Sequence, residues 1–252
     1  MITTLGIDLA SQPRNTALCE ITWDAGAARV TDLRYGNPLD DETLRAAIAG
    51  GHAKVGIDAP FGWPAAFVAA LTEHERFGPW PSIDASELAN RETDRFVRDH
   101  LDGRKHPLSV STDKIAYCAF RCARLLSGLD LPRDGSGLAV EAYPDAALRC
   151  WLPGAFPDGP ARTYKGEPGS KRRADLVRKL LARLGEGFTI ETKWRAQCVA
   201  SDDHFDALLC ALIARAAERG KTIPPGDDEA AGARVEGWIH LPQANSLPEL
   251  IN

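Results

Sequence analysis

The chain lacks any apolar run of about 18 residues, the length at which a helix becomes a candidate to cross a membrane. It also begins on a strand pattern, MITTLGID, with no basic and apolar leader before it. These absences exclude a helical span and set the expectation of a cytoplasmic protein with no membrane partner. Paired metal-knuckle spacing is missing too: Cys19, Cys118, Cys122, Cys150, Cys198 and Cys210 are scattered, and Cys118 and Cys122, four apart in a helical pattern, suit core packing as reduced thiols. An excess of basic charge is absent, since 30 Lys and Arg face 35 Asp and Glu and leave a net charge of -5. Bulk electrostatic coating of nucleic acid is thereby excluded, and a polyanion would have to meet a local basic surface. There are no internal repeats and no low-complexity linker. With 252 residues, 44% of them hydrophobic, a single α/β domain over 1–252 is the economical organisation.

Three strand patterns open the chain, ITTLGIDLAS (2–11), TALCEITW (16–23) and RVTDLRYG (29–36), followed by the helical DDETLRAAIAGG and a fourth strand, KVGIDAP. AGA at 25–27 suits a hairpin, making strands two and three antiparallel, while the crossover helix makes strand four parallel to an earlier one. Residues 60–137 read as a helical insertion with segments near 64–77, 84–101 and 112–127. A fifth strand, GLAVEAYP (137–144), then leads through a Pro- and Gly-rich loop to a basic helix near 170–184 and a closing helix in SDDHFDALLCALIARAAERG.

LGID (5–8) and VGID (55–58) share one order, placing Asp8 and Asp58 at the ends of two apolar strands. A buried carboxylate costs several kcal/mol unless it is paired, neutralised or bound to a cation. On parallel neighbours about 4.8 Å apart the two would need a shared proton or a divalent ion. The competing reading makes each a turn cap. On the closing helix, Phe205, Leu208, Leu209, Leu212, Ile213 and Ala216 form an apolar stripe flanked by Asp203 and Asp206, three apart. Acids in a first helical turn also complement the macrodipole, which accounts for Asp203 better than for Asp206. Glu141 adds a strand carboxylate. Oxygen-only donors suit Mg²⁺ or Mn²⁺, and carboxylate-held ions are standard apparatus for phosphoryl displacement.

Three strands, a helix, a fourth and a fifth strand and a closing helix, with acids on strands one and four and on the last helix, resemble the ribonuclease H-like fold, and DHFDALLCA looks like the end of RuvC-type resolvases. More closely, GIDLAS, GIDAPFGWP, RETD, VEAYPDAAL, YKG and DDHFDALLCALIA resemble the family catalogued as domain of unknown function 429, described as predicted ribonuclease H-like nucleases. The resemblance implies a mixed five-stranded sheet flanked by helices, a catalytic set of Asp8, Asp58, Asp203 and Asp206 with Glu141 as a further metal ligand, and Mg²⁺- or Mn²⁺-dependent hydrolysis of DNA or RNA. The helix-borne Glu of ribonuclease H has no clear counterpart, Glu42 lying near its helix start. Ser11, Arg91, Lys165 and Arg172 are the expected substrate contacts. Arg91 belongs to a basic cluster with Arg95, Arg98, Arg104 and Lys105, and Lys165 and Arg172 to a second that takes in Arg162, Lys171 and Arg173; such runs equally describe solvated faces. Phe61, Trp63 and Trp80 either wall the core or stack bases. GIDLAS also resembles the phosphate-binding turn of the actin, hexokinase and sugar-kinase superfamily, which leaves a phosphotransferase as the alternative, alongside a non-catalytic nucleic-acid-binding protein.

Overall fold

Alternating apolar residues make residues 2–35 and 54–58 a sheet in the computed structural model, which describes residues 1–129, 131–156 and 163–251. The strands are β1 (Ile2–Asp8), β2 (Ala17–Asp24), β3 (Ala27–Tyr35), β4 (Lys54–Asp58), β5 (Ala139–Glu141) and β6 (Phe188–Thr189), in the order β5-β4-β1-β2-β3-β6. β1, β2 and β3 run antiparallel through a hairpin in which Gly26 takes a φ of 71°, open to glycine. β4 pairs parallel to β1, β5 parallel to β4, and β6 parallel to β3. The expectation of five strands is corrected to six. β6 is two residues long, too short to leave a pattern in sequence.

The helices are α1 (Asp41–Ile48), α2 (Ala65–Glu75), α3 (Ala85–Ala89), α4 (Glu92–His100), α5 (Ala116–Leu126), α6 (Pro144–Trp151), α7 (Ser170–Leu184), α8 (Thr192–Ala200), α9 (Asp202–Glu218) and α10 (Ala230–Glu236). The single helix expected over 84–101 is split into α3 and α4. Arg91 leaves helical geometry there because its N–H donates to Asp94 Oδ2 at 2.9 Å, capping α4. α6, α8 and α10 lie where no helix was expected. No helix among the described residues is long and apolar enough to cross a membrane.

Strand alternation divides the core between the two sheet faces. Leu5, Ile7, Val55 and Ile57 pack with Leu44 and Ile48 of α1 and Cys122 and Leu125 of α5. Cys19, Ile21 and Trp23 pack on the opposite face with α9, which is buried from His204 through Ala216, as a helix apolar on all sides must be. Thr4, Gly6 and Asp8 share that second face by their period of two. Side chains at Gly6 and Gly56 would collide with the α9 backbone, at Ala207 and Ala211 for Gly6 and at Cys210 for Gly56. The two glycines therefore let α9 lie directly on β1 and β4, two residues from each aspartate.

Candidate metal centre

Three elements converge at one end of the sheet. Asp8 and Asp58 are partners in the parallel ladder and terminate their strands side by side. α9, seated on Gly6 and Gly56, brings Asp206 to them from above. One carboxylate oxygen from each of the three lies within 4.8 Å of the others. No side-chain hydrogen bond or salt bridge among the described residues reaches Asp8 or Asp58. The turn-capping reading of Asp58 is removed by what happens downstream, where the Phe61 N–H donates to Glu141 Oε2 at 2.9 Å instead.

Asp206 is fully buried and partnered from one side only. The Tyr164 hydroxyl donates to its Oδ1 at 2.6 Å, and the Lys165 ammonium donates to its Oδ2. These partners come from the YKG segment, and the fold fixes that segment closely. Arg173 Nη1 donates to the Tyr164 and Gly166 carbonyls at 2.7 and 3.1 Å, while its Nε and Nη2 donate to Val199 and Ala200 at 2.9 and 2.8 Å. The Gly166 N–H donates to Asp202 Oδ1 at 3.1 Å. Arg173, expected within a phosphate-contacting run, is thus an internal staple that holds Lys165 over the acids.

The electrostatics follow from burial and crowding. Burial, and next the Asp206 charge, push Asp8 well above the usual carboxylate range. Burial likewise pushes Asp58 up to about 7, with Lys165 opposing and Asp206 and Glu141 adding to the rise. Asp206 is raised by burial against the pull of Lys165 and Tyr164. Burial disfavours the Lys165 ammonium, but Asp206, Asp58 and Asp8 outweigh it and hold the group well above its ordinary value. Three ionised carboxylates against one ammonium leave two negative charges uncompensated, the deficit that one divalent cation would fill.

Two other expected residues are placed elsewhere. Glu141 is no member of the cluster: β5 is an edge strand, and both Glu141 oxygens are taken by Arg91, with Nη1 donating to Oε2 at 2.8 Å and Nη2 to Oε1 at 2.7 Å. Arg91, expected to contact substrate, is only 2% exposed and also donates to Asp94, to Oδ1 at 2.9 Å and to Oδ2 at 3.2 Å. Its fork is filled by acids of its own chain, which leaves it no donor geometry for a phosphate. The pair forms part of the wall of the acid-floored cavity instead.

Asp203 stands apart from the three acids, half-buried, where the Ser201 hydroxyl donates to its Oδ2 at 3.4 Å. Ser11 is exposed and lines the same cavity as Asp8, Asp58 and Lys165, a space of about 520 Å³. Arg172 faces a neighbouring depression with Lys171 and Lys179, and Thr163 borders both. Arg162 lies outside the described residues. Lys105, read in sequence only as part of a basic cluster, and Lys114, which carried no expectation, also line the acid cavity; Lys105 donates to Asp145 Oδ2 at 3.0 Å. Their position depends on the long connection between α4 and α5, which carries no periodic signal.

Compared with known proteins, the chain matches the family described as "Protein of unknown function (DUF429)" over residues 6–230, and it belongs to that family. No curated protein and no solved structure matches it.

Proposed function

With membership of the DUF429 family as premise, we propose that the protein is a divalent-metal-dependent nuclease of the ribonuclease H-like type, hydrolysing phosphodiester bonds at the Asp8, Asp58 and Asp206 cluster. The observation that carries this reading is the mutual approach of the three carboxylates, within 4.8 Å, with neither strand acid in a side-chain hydrogen bond or salt bridge among the described residues. Three antiparallel strands, three further strands in parallel pairing and acids on β1, β4 and the late helix α9 support the fold assignment.

The donor set fits a hard cation such as Mg²⁺ or Mn²⁺, being oxygen-only. His204 offers no route to zinc, since it is not among the clustered ligands. Asp8, Asp58 and Asp206 would hold the ion, which when bound supplies Lewis-acid activation of a phosphoryl oxygen and of water. The protein's own residues do the rest. The Tyr164 hydroxyl fixes the rotamer of Asp206. Lys165 is a mobile-ended cation beside the acids, able to move its ammonium from Asp206 to a non-bridging phosphate oxygen once the acids have another partner. Lys105 and Lys114 add positive charge on the cavity wall.

The test is release of nucleotides from labelled DNA and RNA with Mg²⁺ or Mn²⁺ present. Asp8→Asn is expected to lower the rate at least about a hundredfold, roughly 2.7 kcal/mol of barrier, with the fold retained. Full cleavage by this variant would refute the assignment, and turnover of a nucleoside triphosphate without cleavage of polymer would move it to the phosphotransferase alternative.

A further inference from the structure

Outside the lining of the cavity over the acids lies a group of rings that metal chemistry does not use. Trp63, three residues beyond Pro60 in the cavity wall, stacks on Phe120 of α5 with ring centroids 5.8 Å apart and planes at 24°. Tyr117 meets Phe120 in an edge contact at 6.2 Å. Helical spacing explains the arrangement: Cys122 and Leu125 enter the core, Cys118 lines the cavity, and Tyr117 and Phe120 emerge on the solvent side. Tyr117 is 74% and Phe120 57% exposed. Aromatic rings left in water near a ligand-sized cavity mark a contact surface rather than a core.

The charge beside these rings identifies what they contact. Lys114 lines the cavity three residues before Tyr117, is exposed, and forms no ion pair among the described residues. Further in, down to the acids, lie Lys105 and Lys165, each with one carboxylate partner, Asp145 and Asp206, and ammonium protons left to donate. Exposed aromatic faces next to ammonium groups hold unpaired bases and their phosphates, whereas a duplex hides its base faces in the stack. A cavity of about 520 Å³ is sized for one small ligand, so a single nucleotide unit enters and a helix does not.

Resting on the phosphodiester reading above, we infer that the substrate is single-stranded nucleic acid, with one phosphate seated in the cavity among Lys114, Lys105 and Lys165 and the adjoining bases stacked on Tyr117 and Phe120. The experiment measures fluorescence anisotropy of labelled oligothymidylate, oligouridylate and a mixed-sequence duplex of equal length, in the Asp8→Asn background to prevent cleavage. Both single strands, or one of them, are expected to bind at least about tenfold more tightly than the duplex. Tyr117→Ala with Phe120→Ala is expected to weaken that binding at least about tenfold, while the exchange Tyr117→Phe with Phe120→Tyr, which keeps both rings, preserves it. The alanine pair, placed in the otherwise native chain, is expected to bind Mn²⁺ unchanged. Equal binding of duplex and single strands, or undiminished binding by the alanine pair, would overturn the inference. Its failure is distinguishable from that of the nuclease reading. Mn²⁺ bound at the acids without oligonucleotide preference defeats the substrate alone, and oligonucleotide binding without Mn²⁺ defeats the metal centre alone.

Discussion

Two groups of acids each send members to the wall of one cavity, Glu141 from one and Asp8 and Asp58 from the other, and they are built in opposite ways. Around Arg91, Glu141 and Asp94 each meet a guanidinium edge, and Glu141 takes a backbone N–H as well, so the charges are closed on themselves. Burial still raises Glu141, with Arg91 pulling the other way. Around Asp206, the Lys165 ammonium is the nearby cation, paired with Asp206, and no side-chain hydrogen bond or salt bridge among the described residues reaches Asp8 or Asp58. The first arrangement fits a structural tie. The second leaves an open charge deficit at the base of a cavity, the condition expected of a site that awaits a cation.

The largest effect expected is at the closed group. Arg91→Met strips both acids of their counter-charge in the interior and should destabilise the protein by about 3–5 kcal/mol in urea unfolding. A loss below about 1 kcal/mol would erase the distinction between the two groups. At the open group the expected sign reverses with pH. Asp58, at about 7 in the folded metal-free protein and roughly 3.9 when unfolded, binds its proton more tightly when folded. Its contribution therefore favours folding below about pH 4 and is lost as pH rises to 7 and beyond. Metal-free Asp58→Asn should gain stability over the native chain across that window, by at least about 1.4 kcal/mol, the equivalent of one pKa unit. A difference independent of pH would mean that Asp58 is compensated after all.

Part of this contrast was legible in the sequence. The repeated Gly-Ile-Asp order announced two strands ending in acids, and the glycines proved to be the contact points for α9, which is why the third acid arrives with them. Asp206 stood out because it adjoined an apolar stripe. Asp203, three residues earlier, was expected in the catalytic set as well, although the macrodipole accounts for it better than for Asp206, and it lies outside the three clustered acids. Pairing across long loops was not legible: Arg91 and Glu141 are 50 residues apart, and nothing local distinguishes a guanidinium that closes on an acid from one that awaits a phosphate. Arg173 misled for the same reason, since its carbonyl partners carry no side-chain signature. Lys165 was visible as a motif residue, but its approach to Asp206 depends on the fold of the YKG segment around Gly166 and Gly169.

The smallest effect expected is at Asp203. Because it lies outside the three clustered acids, Asp203→Asn should change Mn²⁺ affinity by less than about 0.5 kcal/mol in calorimetric titration. A loss as large as that caused by Asp206→Asn would extend the open group to four carboxylates.

On the proposed function, Asp8, Asp58 and Asp206 are a divalent-cation site and not three strained acids held by Lys165. Anomalous diffraction from a crystal of the native chain soaked in Mn²⁺ separates the two. A peak is expected roughly 2.0–2.2 Å from an oxygen of at least two of the three acids, with the Lys165 ammonium withdrawn from Asp206. An empty cluster at saturating Mn²⁺, with Lys165 still on Asp206, would contradict it.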